Sequence, residues 1–99
     1  MLFYCTYLMH DKESQAEAYP IFANMSSEEI KNEVPDGCKL IGRWHDLTNG
    51  FGVLITEAQS QEDLMTWFMK WAPYCSYPDI RPVVDDDSAR KLIKESMRN

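Results

Sequence analysis

An α+β fold of order β-α-β-β-α-β with a closing helix is predicted by three features of this sequence. Asn49-Gly50 separates two strand-like runs, and Asn-Gly is the dipeptide that tight hairpin turns favour. Leu64, Trp67, Phe68 and Trp71 recur at i, i+3, i+4 and i+7, the apolar stripe of a helix lying on a sheet. The run from Tyr77 to Val84 holds Pro78 and Pro82, which cannot donate ladder hydrogen bonds and so mark an edge strand or a bulge.

The elements follow in chain order. Leu2 to Met9 mixes aromatic, β-branched and small residues and stops at the polar HDKES, as a central first strand would. ESQAEAY from Glu13 has helical composition, while Pro20 should kink that helix or begin a new turn. Ser26 with Glu29 three residues on forms a capping box, so the helix is expected in two pieces reaching about Glu33. Val34-Pro35-Asp36-Gly37 then ends it with turn chemistry. Cys38 to Asp46 is the second strand and Phe51 to Ala58 the third. Ser60 caps the aromatic helix, with Asp63 at the box position, and Pro73 stops it. Asp85, Asp86, Asp87 and Ser88 cap a last helix through Leu92, Ile93 and Met97.

A two-residue turn at Asn49-Gly50 places Trp44 opposite Ile55, His45 opposite Leu54, Arg43 opposite Thr56 and Gly42 opposite Glu57. Strand alternation then assigns Arg43, His45, Leu54 and Thr56 to one face. Trp44, Val53, Ile55 and Glu57 take the other. The order is the split βαβ pattern of the ferredoxin-like fold. Right-handed crossovers put strands one and three in the middle and two and four at the edges.

With 99 residues, 44% hydrophobic and 26% charged, the chain makes one domain over residues 1–99. At this size roughly 60 to 65% of the unfolded surface is buried, so a partner subunit is an economical source of further burial and a homodimer is expected. A net charge of −6 with dispersed basic residues disfavours nucleic acid and anionic membrane surfaces. The apolar opening MLFYCTYLM lacks a basic flank and a small-residue cleavage site, and reads as neither signal peptide nor membrane span. Cys5, Cys38 and Cys75 form neither CxxC pairs nor an even framework, so reduced thiols in a cytoplasm are expected.

The MLFYCTY opening, the GRWHD strand, GFGVLITEA, the TWFMKW helix and the IRPVVDDDSARKLI ending resemble a family of short bacterial, especially cyanobacterial, proteins known as domain of unknown function 3303. The resemblance covers nearly the whole chain. It implies a dimeric α+β barrel, in which two ferredoxin-like sheets face one another. That superfamily includes cofactor-free monooxygenases, haem-degrading enzymes, muconolactone isomerases, stress-responsive barrels and ligand-sensing modules, and the fold does not select among them. Pro20 and the polar stretch Met25 to Asn32 depart from the helix expected there.

His45 beside Arg43 is the candidate catalytic pair: imidazole exchanges a proton near neutral pH and guanidinium holds an oxyanion. The plainer reading is a structural or dimer contact on an edge strand. Trp44, Tyr7, Trp67 and Glu57 are candidate ligand-binding residues; a Trp stripe at helical spacing is also what a core looks like. His10-Asp11 and His45-Asp46 are the only seeds of a metal site, and adjacent strand residues face apart, so neither metal nor cofactor is expected. Three functions stand. The first is binding of a small apolar or aromatic ligand; the second is a cofactor-free monooxygenase or isomerase with His45 as acid/base. The third is an assembly or regulatory protein without a ligand.

Overall fold

The computed structural model describes residues 1–98. Strand β1 (Leu2–Met9) lies inside an antiparallel five-stranded sheet. One flank pairs with β3 (Phe51–Ala58), which pairs in turn with the edge strand β2 (Cys38–Asp46). The other flank pairs with two short strands, β4 (Cys75–Ser76) and β5 (Ile80–Val83). Strands one and three are interior and β2 is an edge, as the sequence leads one to expect, but the fourth strand comes in two pieces instead of one. Pro78 lies at the break. There Asp79 takes over, its carbonyl accepting from the Thr6 amide at 2.9 Å and its own amide donating to the Thr6 hydroxyl at 3.3 Å.

The hairpin differs from expectation in register. Asp46 pairs with Phe51, so the loop is four residues, Leu47 to Gly50, and Trp44 lies opposite Val53, His45 opposite Gly52 and Arg43 opposite Leu54. Asp46 causes this: its carboxylate accepts from the Thr48 hydroxyl and from the Asn49 side chain at 2.7 Å, closing the loop early. Within this loop Gly50 takes positive φ, at 63°, and Asn49 does not. A second irregularity lies between Leu40 and Gly42, where Ile41 is the extra residue of a bulge and Gly42 faces Ile55 instead of Glu57. The buried Thr56 hydroxyl satisfies the Lys39 carbonyl beside it at 2.9 Å.

Helix α1 (Lys12–Ala23) starts at Asp11, whose carboxylate accepts from the Ser14 amide at 2.7 Å. It runs through the exposed Pro20 for three more residues, so no new turn begins there and the two expected helical pieces part after Ala23; the Asn24 amide closes on the Pro20 carbonyl. The capping box forms, Ser26 and Glu29 bonding reciprocally, and opens α2 (Ser27–Glu33). Helix α3 (Gln61–Met69) starts at Ser60 and ends two residues before Trp71, which belongs to the tight turns that follow. Its buried Leu64, Trp67 and Phe68 pack on Cys5, Leu54 and Ala58 of the sheet. Burying each large side chain is worth about 1.5–3 kcal/mol, so this layer carries much of the core. All three cysteines are free thiols.

Helix α4 (Asp86–Met97) is capped by Asp85 as expected but buries none of its residues. Leu92, Ile93 and Met97 are more than half exposed, and the molecule measures 53 × 27 × 21 Å. Among the described residues no helix is long and apolar enough to cross a membrane.

Candidate functional site

The sheet face that carries Cys5, Tyr7, Arg43, His45 and Leu54 turns toward α1 and α3, and a cavity of about 600 Å³ lies between them. That volume is ordinary for a small-molecule site. Helix α1 contributes Ala18, Tyr19 and Phe22; α3 and its following turns contribute Trp67, Phe68 and Trp71. The walls are mainly aromatic and aliphatic, with few polar groups.

One of those polar groups is a pair. Tyr7 stands on β1 and His45 on β2, two strands apart, yet the Tyr7 hydroxyl lies 2.5 Å from His45 Nδ1. Gly52 of β3 stands between them in register. A Cβ there would overlap the Tyr7 ring, so the missing side chain lets the phenol cross the middle strand. Burial raises the Tyr7 pKa to about 12, reinforced by Tyr19. Partial desolvation beside Tyr7 and Phe22, aided by the Arg43 charge, lowers that of His45, otherwise an exposed residue, below its ordinary 6.5. Both groups are therefore neutral near pH 7. Phenol is the stronger acid and imidazole nitrogen the stronger base, which assigns the donor: the Tyr7 hydroxyl donates a hydrogen bond to Nδ1, leaving the ring N–H on Nε2.

The other polar group is an ion pair with a shared acceptor. Glu33, the last residue of α2, is buried, and its two carboxylate oxygens accept from the Arg43 fork at 2.7 and 3.3 Å. Glu33 Oε2 also accepts from the indole N–H of Trp67 at 3.0 Å and of Trp71 at 2.8 Å. Lys70 Nζ donates to the Glu33 carbonyl at 2.7 Å, tying the end of α2 to the end of α3. Burial alone would raise the Glu33 pKa, but the hydrogen bonds from Arg43, Trp67 and Trp71 outweigh it and the net shift is downward. Arg43 in turn covers the Phe22 ring at 5.0 Å, and Phe22 lies 5.1 Å from the His45 ring.

Four of the six residues singled out from the sequence come together here: Tyr7, Arg43, His45 and Trp67. Trp44 borders the cavity but is 61% exposed, its ring lying across Gly42 on the opposite sheet face. Glu57 is exposed on that opposite face, paired with Leu2 and Lys39, away from the cavity. Sequence reasoning missed Glu33, Phe22 and Tyr19. A signal for Glu33 did exist: two tryptophans on a core-facing stripe need acceptors for their N–H groups. Among the described residues no cluster of three His, Cys, Asp or Glu side chains is placed to hold a metal ion.

Fold and site define a class: a small α+β domain whose antiparallel sheet and helices line a largely apolar, open-mouthed cavity with a hydrogen-bonding pole. The chain belongs to the family described as a domain of unknown function (DUF3303), whose model matches residues 1–97. Neither the curated proteins nor the solved structures contain a match.

Proposed function

We propose that this protein binds a small apolar or aromatic molecule in the cavity between sheet and helices. The carrying observation is the cavity itself: about 600 Å³ walled by aromatic side chains, with the Tyr7–His45 pair as its polar anchor. A filled interior would suit an assembly protein better. We further propose that the domain is a ferredoxin-like half of a cytoplasmic dimeric α+β barrel. Apolar side chains on the uncovered sheet face, among them Tyr4, Val53 and Ile55, support a second copy as partner, as does the unburied α4.

Native mass spectrometry of the gently purified protein tests both parts. A dimer carrying a discrete extra mass is expected. A protein that never retains or takes up any small aromatic molecule would overturn the binding reading.

The Tyr7–His45 hydrogen bond favours a second reading, a cofactor-free monooxygenase or isomerase with His45 as acid/base, since His45 can hand its Nε2 proton to a substrate oxygen while Nδ1 takes up the Tyr7 proton. In that reading Arg43 is a poor oxyanion holder, because Glu33 occupies its fork. His45→Ala should then abolish turnover and leave the melting temperature nearly unchanged.

A further inference from the structure

Buried Glu33 does not line the cavity, yet it decides what charge the cavity presents. Arg43 is the only cationic side chain among the lining residues, and Glu33 holds it in a two-point pair whose side chains are 12% and 5% exposed. The remaining polar side-chain groups of the lining residues are uncharged: phenols, a thiol, an imidazole and indole N–H groups, those of Trp67 and Trp71 bonded to Glu33. We propose that Glu33 is a specificity-determining, positioning residue: by cancelling the charge of Arg43 it restricts the cavity to uncharged flat aromatic molecules that carry a hydrogen-bond acceptor, such as an aryl ketone, and turns away carboxylates of the same shape.

This inference rests on the binding reading above and refines it. A carboxylate entering an apolar cavity loses its hydration and must find a counter-charge there. Arg43 offers none in net, because its fork already satisfies Glu33, and the indole N–H groups of Trp67 and Trp71, which would otherwise serve an anion, are bonded to the same carboxylate. A neutral ketone loses little on entry. Its oxygen finds the N–H that the Tyr7 bond leaves on His45 Nε2, a nitrogen bonded by no group among the described residues. Phe22, braced by Arg43 at 5.0 Å and by Trp71 at 6.4 Å, supplies a flat wall for the ring. Glu33 thus acts on the ligand through Arg43, and its influence is a matter of charge more than of shape.

The test is calorimetric titration of the full chain with two probes of one shape, naphthyl methyl ketone and naphthoate, at neutral pH. Wild-type protein should bind the ketone more tightly by about tenfold or more. Glu33→Gln keeps an acceptor for the indoles but frees the Arg43 charge, and should bring naphthoate level with the ketone or ahead of it. The double variant Glu33→Gln with Arg43→Met removes that charge again and should restore the preference for the ketone, which a merely structural effect of residue 33 would not do. Wild-type protein that binds naphthoate as well as the ketone overturns this inference while leaving the binding reading intact. An unaltered preference in Glu33→Gln overturns the role of Glu33. If neither probe nor any similar ring binds, the binding reading falls and takes the inference with it. Should Glu33→Gln fail to fold, the wild-type comparison still decides whether the cavity rejects anions.

Discussion

Placing a methyl group on Gly52 would set it where the Tyr7 ring crosses β3 on its way to His45. The strand leaves no room to absorb it, so Gly52→Ala should lower stability by about 1–3 kcal/mol in urea denaturation, the range of overpacked sites. It should also separate the phenol from the imidazole, which the His45 ring signals in an NMR titration would report. Tyr7→Phe removes only the hydroxyl and should change those signals with a smaller stability loss. Charge at the same residues predicts a pH dependence. His45 has a folded pKa below its ordinary 6.5, so between the two values the unfolded chain binds more protons. Its contribution is complete above 6.5 and is lost as pH falls through the folded value. Glu33, lowered from 4.5, acts in the same direction at lower pH, contributing fully above 4.5 and losing that contribution on acidification. Urea midpoints should therefore fall in two stages on acidification, and His45→Gln should lack the upper one. A midpoint that rises on acidification through this range would contradict both assignments. Alternation alone put His45 and Arg43 on one face, but their partners Tyr7 and Glu33 come from elements distant in sequence, and only the fold sets those distances.

Local chemistry and tertiary competition separate clearly among the elements. The Ser26–Glu29 box was legible because both partners lie within one helical turn, and the structure holds both of its bonds. Removing it with Ser26→Ala should cost about 1 kcal/mol in thermal denaturation. Because α2 ends on Glu33, that loss should also loosen the hold on Arg43; a variant as stable as wild type would show that α2 is fixed by its far end alone. Asn49-Gly50 predicts a two-residue β2–β3 loop; the loop has four, because the Asp46 carboxylate captures Thr48 and Asn49. Over the residues that follow the bulge the register error is two positions, an even number, so the faces of Arg43, Trp44 and His45 were still legible. Proline acts differently at its two sites: Pro78, expected within a single edge strand, splits that strand in two, and Pro20, expected to kink α1 or begin a new turn, is followed by three more helical residues.

For the whole molecule the question is what a domain of 99 residues does with apolar surface it leaves uncovered. Trp44 and Leu8 on the open sheet face are 61% and 45% exposed, and Leu92, Ile93 and Met97 of α4 are exposed as well. The core contains few large side chains, and a chain of this length is only marginally stable alone. Burying the open face against its copy would add apolar area that intramolecular packing cannot supply, at about 25 cal/mol per Å² before the cost of association. Sedimentation equilibrium of the full chain should therefore report a dimer. Trp44→Glu puts a charge on the open face, where the Trp44 ring lies across Gly42, and should shift the protein toward monomer while its circular dichroism spectrum is retained. Leu92→Asp tests α4 in the same way; since α4 has no buried residue in the single chain, a loss of thermal stability beyond the few tenths of a kcal/mol of helix propensity points to the partner. A wild-type monomer at concentrations well above those in a cell would remove the facing-sheet arrangement and leave the cavity, which one chain lines, as the feature that still requires a function.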